Sequence, residues 1–117
     1  MSAPPVGPYS PVVAAGPWLI VSGQLGVRDG EIVPGGTAAQ TAQALANLAS
    51  RLAERGASLV DVVKTTVFMT DIADFAVVNE AYVAAFVDHR PARSAIAVVA
   101  LPLGASVEIE AWAYRPT

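Results

Sequence analysis

The chain contains 117 residues, no cysteine, and ten acidic against seven basic side chains, which gives a formal net charge of -3. This length fits a single domain spanning residues 1–117, and the missing cysteines exclude disulfides and thiolate metal sites and suit a cytoplasmic protein. The few Lys and Arg residues do not form the basic surface of a dedicated nucleic-acid binder, and no apolar stretch reaches the roughly 18 residues of a membrane span.

The first part of the chain predicts three short β-strands separated by turns. The apolar run at residues 9–14 is bracketed by two Gly-Pro pairs, which are typical of turns, and a second short apolar run follows at residues 18–22. Asp29-Gly30 then predicts a hairpin turn in front of a short apolar segment at residues 31–33.

A first helix is predicted at about residues 38–55. Thr37 and Gln40 have the spacing of a capping box, in which each side chain satisfies a free N–H group at the start of the helix. Leucines then recur at helical spacing, and Gly56 supplies the expected stop. The run at residues 60–70 is rich in Val, Thr and Phe and predicts a long central strand.

A second helix is predicted after Asp71 and Asp74, either of which can cap it. Its apolar side chains recur every three or four residues. They are Phe75, Val78, Tyr82 and Phe86. Two strands at residues 93–100 and 106–114 complete the order β-β-β-α-β-α-β-β.

These elements predict an α+β fold in which two helices cover one face of a mixed sheet of about six strands. The strands are nevertheless apolar on both faces, and hydrophobic residues make up 54% of the chain against 15% charged residues. A small monomer cannot hide so much apolar surface. We therefore expect another copy of the chain to cover the second face of the sheet.

Arg93 enters an apolar strand directly after a Pro-Ala turn. A guanidinium stays charged, so in such a place it needs an anion or several acceptors, and its planar fork pairs naturally with a carboxylate. One interpretation is a binding site for an organic anion. The other is a structural salt bridge to Glu108 or Glu110, and the spacing alone favours this second interpretation.

Glu108 and Glu110 share one face of the last predicted strand, about 7 Å apart along it. Because two neighbouring carboxylates repel each other, at least one is expected to have a specific partner or a raised pKa. One of them could hold an attacking water or relay a proton. Alternatively, Glu110 is solvated at an edge and Glu108 pairs with a Lys or Arg; the sequence leaves both interpretations open.

Three further polar residues are candidates for a binding cleft. Tyr9 offers a phenolic donor to a ligand or anchors the end of a strand. Ser22 follows an apolar strand, where its hydroxyl faces a ligand or the chain simply bends. Asn79 lies on the apolar face of the second helix and must satisfy its amide there, commonly by tying down a loop. His89 is the only histidine, and without a carboxylate cluster it predicts no metal site.

Several segments along the chain carry a resemblance to a known family. The most specific of them are Pro91-Ala92-Arg93-Ser94, Leu101-Pro102 and Val107-Glu108-Ile109-Glu110-Ala111. The others are Gly7-Pro8-Tyr9-Ser10, Val21-Ser22-Gly23-Gln24, residues 63–68, residues 74–79, Ala81-Tyr82 and Phe86. Together these segments, which span nearly the whole chain, resemble the Rid family of reactive-intermediate deaminases, also called YjgF-like proteins.

The resemblance implies a chorismate-mutase-like α+β fold that assembles as a homotrimer with ligand clefts between subunits. It also implies hydrolysis of reactive 2-imino or enamine acids, such as 2-iminobutanoate and 2-iminopropanoate, to 2-keto acids and ammonia. An iminium is already electrophilic, so the enzyme needs an anchored carboxylate, a placed water and a proton path, and no cofactor.

The same resemblance assigns roles to individual residues. Arg93 holds the substrate carboxylate with help from the backbone N–H of Ala95, and Glu108 positions the attacking water. The remaining lining of the cleft is Tyr9, Ser22, Phe75 and Asn79.

Two departures from the pattern of the family bear on substrate preference. Ala95 stands where well-known members carry a cysteine, and the stretch at residues 86–91 is shorter. The alternatives to a general imine deaminase are a non-catalytic binder or sensor of small carboxylates and a deaminase specific for the enamine of one pathway. An RNA-cleaving translation inhibitor, an activity also attached to the family, is opposed by the net charge of -3.

Overall fold

The computed structural model describes residues 7–116 and confirms both predicted helices and the strands around them, except that four strands instead of the predicted three precede the first helix. The helices and strands are β1 (Val12–Ala15), β2 (Trp18–Leu25), β3 (Val27–Arg28), β4 (Glu31–Ile32), α1 (Gly36–Ala53), β5 (Val62–Met69), α2 (Phe75–Phe86), β6 (Ala92–Ala97) and β7 (Val107–Tyr114). Short 3-10 turns at residues 59–61, 72–74 and 102–104 connect some of them.

Five strands form one mixed sheet in the order β1-β2-β7-β5-β6, while β3 and β4 form a separate two-stranded ribbon. The strands predicted to form one sheet of about six are thus divided between a five-stranded sheet and a two-stranded ribbon. Asp29 and Gly30 both have positive φ, 55° and 81°, as a two-residue hairpin turn requires, and they join the strands of the ribbon. β5 and β6 are parallel with α2 as their crossover, and the other pairs in the sheet are antiparallel.

Both helices pack on one face of the sheet, as the order of the predicted elements implied. That face carries the buried residues of β7, and α1 and α2 cover it with Leu45, Leu48, Leu52, Val78, Tyr82 and Phe86. The alternate residues of β7 lie on the other face, which we call the open face: Glu108, Glu110, Trp112 and Tyr114. Within residues 7–116, no helix is both long and apolar enough to cross a membrane.

The capping box predicted at the start of the first helix is wrong. α1 begins at Gly36 without a side-chain cap. Thr37 Oγ1 instead donates to Asp74 Oδ2 at 3.0 Å, and Gln40 Oε1 accepts a hydrogen bond from the backbone N–H of Ser106 at 2.9 Å. These side chains tie α1 to the segments in front of α2 and β7, so tertiary partners have replaced the local ones.

β2 continues three residues further than predicted because it contains a β-bulge. Between Val21 and Gln24 the register of β2 against β7 shifts, so that Ser22 and Gly23 together face the single residue Glu110. The bulge lies on the central pair of strands and shapes the open face next to the carboxylates of β7.

Candidate active site

Arg93 lies on the edge strand β6, paired with Thr65 of β5, on the face of the sheet that α2 covers. Its Nη1 donates to Asn79 Oδ1 at 2.7 Å. Its guanidinium carbon lies 5.0 Å from the ring centre of Tyr82 and 5.5 Å from that of Phe75. Three side chains of α2 thus hold the guanidinium through one hydrogen bond and two cation–π contacts.

The structural salt bridge considered for Arg93 is contradicted. Glu108 and Glu110 project from the open face of β7, whereas Arg93 lies on the helix-covered face and two strands away. Within residues 7–116, the side chain that accepts a hydrogen bond from Arg93 is a neutral amide, and Arg93 forms no ion pair. A cation beside apolar rings therefore keeps its charge available for an anion.

Tyr82 belongs to the Arg93 cluster, although the sequence interpretation treated it only as a core residue. Its side chain is 4% exposed, and its hydroxyl lies 2.7 Å from Thr65 Oγ1. Burial raises the pKa of Tyr82 despite the opposing effects of the Thr65 hydrogen bond and of the Arg93 charge, so the phenol stays neutral. A usable signal was the position of Tyr82 three residues after Asn79, on the same side of the helix.

The other predicted members of this group are Ala95 and Phe75. Ala95 follows Arg93 by two residues on β6, so both side chains point to the helix-covered face, and Ala95 packs against the core. Phe75 is 41% exposed and forms the rim of the cluster. The structure therefore brings Phe75, Asn79, Arg93 and Ala95 together.

A second group of predicted residues lies around the bulge. Burial raises the pKa of the Glu108 carboxyl, and the nearby charge of Glu110 raises it further. Ser22 Oγ donates to the carbonyl oxygen of Ser10 at 2.7 Å and so fastens the segment before β1 to β2. Tyr9 lies in that segment and is 47% exposed.

The two groups lie on opposite faces of one sheet. Arg93 is in register with Thr65 and Ala111, whereas Glu108 is three residues further along β7. Across the sheet, two strand spacings place Arg93 and Glu108 about 10 Å apart. Along the strands, three residues add a separation of about 10 Å. Within a single chain, one small substrate therefore cannot touch both Arg93 and Glu108.

A cavity of about 220 Å³ lies apart from both groups. It is lined by Ala14, Gly16, Pro17, Leu19, Arg55 and Arg115. Arg115 Nη1 lies 3.7 Å from the carboxylate of Asp61, and Arg55 Nη2 donates to a backbone oxygen of β1 at 3.4 Å. The cavity shares no residue with the predicted site. In the part of the chain that the structure describes, no three His, Cys, Asp or Glu side chains form a cluster that could hold a metal ion.

The chain is similar to known proteins over nearly its whole length. The family model described as Endoribonuclease L-PSP matches residues 1–115. A RutC family protein of Pyrococcus horikoshii is 44% identical over 113 residues, which cover 95% of this chain and 90% of that protein. The 2-iminobutanoate/2-iminopropanoate deaminase of Rattus norvegicus is 46% identical over 112 residues, 94% of this chain and 82% of that protein. The crystal structure of E. coli TdcF with bound serine matches with a TM-score of 0.92 at 38% identity, covering 97% of this chain and 93% of that one.

Proposed function

The chain belongs to the endoribonuclease L-PSP family, the YjgF/RidA proteins, and from this premise we propose that it hydrolyses reactive 2-imino acids and their enamine tautomers to 2-keto acids and ammonia. The observation that carries the proposal is Arg93, a cation whose hydrogen-bond partner in the described residues is the neutral Asn79. Two relatives support it. One, 46% identical, is named for deaminating 2-iminobutanoate and 2-iminopropanoate; the other, 38% identical, holds serine, which carries a carboxylate.

In this proposal Arg93 anchors the substrate carboxylate. Asn79 engages one terminal nitrogen, and the rings of Phe75 and Tyr82 fix the plane of the guanidinium. The remaining N–H groups of the fork can then meet a carboxylate in two parallel, charge-assisted hydrogen bonds. The backbone N–H of Ala95 adds a further donor, so the carboxylate is fixed before any bond is made or broken.

The site requires residues of two chains. The Arg93 group and the Glu108 group face opposite ways, so they meet when the edge of one chain contacts the open face of the next. Such a contact between two different surfaces forms a ring when its rotation closes and an open filament when it does not. Exposed apolar side chains on the open face favour its burial, since Ile96 is 46% and Trp112 43% exposed. We therefore propose a homotrimer with clefts between subunits, the number of chains following from the family resemblance.

The chemistry is a hydrolysis in which Glu108 moves the proton. Water adds to C2 of the protonated imine while Glu108 accepts a proton from it. Glu108 then returns this proton to the nitrogen of the resulting carbinolamine. As the C–N bond breaks and ammonia leaves, the C2 hydroxyl gives its proton to the Glu108 carboxylate and becomes a carbonyl. One protonated imine and one water thus give one keto acid, one ammonia and one proton that Glu108 releases to solvent, without an oxidant or reductant. A carboxyl with a raised pKa suits both halves of the reaction, because it accepts and returns a proton closer to neutral pH.

Tyr9 and Ser22 form the wall of the cleft on the Glu108 side. Ser22 already fastens the backbone at Ser10, next to Tyr9, to the bulge. Neither residue needs to change its protonation state. Their proposed role is to line the cleft and to contact the part of the substrate beyond its carboxylate.

The location and range of the reaction form a separate part of the proposal. A chain without cysteine suits a reducing cytoplasm, where other enzymes release reactive imines. Similar kcat/KM values for 2-iminobutanoate and 2-iminopropanoate would indicate a broad role in removing them. A strong preference for one other enamine would instead indicate a pathway-specific deaminase.

The decisive experiment follows 2-iminobutanoate that an amino-acid oxidase or dehydratase generates in the assay. The wild-type protein is expected to accelerate imine loss and Arg93→Ala to be inactive, although both fold. Binding of 2-oxobutanoate without turnover would identify a carboxylate binder or sensor instead. Cleavage of RNA by the purified protein, lost in Arg93→Ala, would favour the activity for which the family model is named.

A further inference from the structure

Gly23 lies in the bulge of β2, directly beside the side chain of Glu108. A Cβ atom placed on Gly23 would lie 2.7 Å from Cδ and 2.9 Å from Cγ of Glu108, and closer still to Oε2. Real side-chain atoms do not approach each other so closely. The carboxylate of Glu108 therefore occupies the space that any other residue at position 23 would fill with its own side chain.

The backbone gives no separate reason for a glycine at this position. Six glycines of the described chain have positive φ, which favours glycine. They are Gly16, Gly30, Gly35, Gly36, Gly56 and Gly104. Gly23 is not among them, so a positive φ does not require glycine there, and what distinguishes it is the space above its Cα.

We infer that Gly23 is a positioning residue for Glu108, because its missing side chain admits the carboxylate and holds it against the bulge beside Ser22. This inference deepens the proposed function, in which Glu108 moves the proton, and rests on it for its catalytic consequence. An added methyl group would displace the flexible end of the Glu108 side chain and leave the strand backbone in place. A displacement of about 1 Å is enough to lower a rate about 100-fold.

Gly23→Ala in the full-length protein tests the inference. We expect kcat for 2-iminobutanoate to fall about 100-fold. The affinity for 2-oxobutanoate and the melting temperature should stay near those of the wild type, since Arg93 and the backbone are untouched. Gly26→Ala is the matched control: its Cβ would lie 2.5 Å from backbone atoms of Gln40, so this variant should instead melt at a clearly lower temperature.

The carboxyl titration of Glu108, followed by ¹³C NMR and assigned with Glu108→Gln, separates this inference from the proposed function. We expect the titration curve to differ between the wild type and Gly23→Ala, whether or not the protein hydrolyses imines. Identical titration curves for the two proteins would overturn the inference. It would also be overturned if Gly23→Ala failed to fold or if that variant had the kcat of the wild type. Absence of imine hydrolysis by the wild type would overturn the proposed function, and the titration would still decide where the carboxylate lies.

Discussion

Arg93 donates a 2.7 Å hydrogen bond from Nη1 to Oδ1 of Asn79, so a positive charge at the edge of the sheet is held by a neutral side chain. An amide oxygen orients a guanidinium without cancelling its charge, whereas an acidic residue in its place would neutralise it. This difference explains how the cation can be both fixed in position and free to attract a carboxylate.

Arg93→Lys is expected to lower kcat/KM for 2-iminobutanoate about 30-fold, with little change in melting temperature. An ammonium keeps the charge but cannot present two parallel N–H groups, and the loss of one charge-assisted hydrogen bond corresponds to about 2 kcal/mol. Initial rates with imine generated in the assay measure the effect. Arg28→Lys, on the exposed hairpin, is the matched control and should turn over normally; equal rates for the two variants would contradict the role of Arg93.

Asn79→Asp is expected to weaken binding of 2-oxobutanoate more than Asn79→Ala does. The new carboxylate would pair with Arg93 and compete with the ligand, whereas alanine adds no charge. We expect a Kd about tenfold higher for aspartate than for alanine, which corresponds to about 1.4 kcal/mol. Titration calorimetry measures both values. The opposite order would show that the ligand carboxylate does not bind at Arg93.

Local patterns in the sequence were sufficient to predict most elements, because each pattern depends on neighbours along the chain. The alternation at residues 106–114 separated the two faces of β7, and the stripe from Phe75 to Phe86 matches the bounds of α2. Asp29-Gly30 likewise marked the hairpin, since both residues adopt the positive φ that such turns need.

Contacts between distant segments could not be predicted in this way. Thr37 and Gln40 have the spacing of a capping box, yet they bond to Asp74 and Ser106 because the start of α1 lies against those segments. The face on which Arg93 lies depends on the register of β6 with β5, which no local pattern encodes. For the same reason, its separation from the carboxylates of β7 became visible only in the folded chain.

The pH dependence of kcat/KM is expected to show an acidic limb above the ordinary glutamate value of about 4.3. Burial, and then the charge of Glu110, raises the pKa of Glu108, so its proton-accepting form is lost earlier as the pH falls. Rates measured between about pH 4 and 8 locate the limb. Glu110→Gln removes the repulsive charge and should move the limb to lower pH; an unmoved limb would show that another group controls it.

Thr37→Val is expected to lower the free energy of unfolding by about 1 to 2 kcal/mol while leaving kcat/KM unchanged. The Thr37 hydroxyl lies 3.0 Å from Asp74 Oδ2 and 2.8 Å from Ser106 Oγ, and valine would remove both contacts. Chemical denaturation measures the loss. Thr37→Ser keeps the hydroxyl and should behave like the wild type, and a valine variant of equal stability would show that these bonds contribute little.

Arg93 and Glu108 lie on opposite faces of the sheet, so the proposed site depends on how the chains assemble. Arg93 is bonded to Asn79 of α2 and Glu108 lies beside Gly23 of the bulge, but the two side chains point away from each other on opposite faces of the sheet. If the proposed reaction needs both residues, a monomer contains them and still lacks a complete site. Activity should depend on the contact between chains, and this dependence can be measured directly.

Arg93→Ala and Glu108→Ala chains, each inactive alone, are expected to recover activity when they assemble together. If every site takes Arg93 from one chain and Glu108 from its neighbour, a trimer containing both variants has about one third of its sites intact. Coexpression with two affinity tags and sequential purification isolates such trimers, and their kcat should reach about one third of the wild-type value. Separately assembled variants mixed in the assay are the control and should stay inactive. Mixed trimers without activity would contradict a site built from two chains.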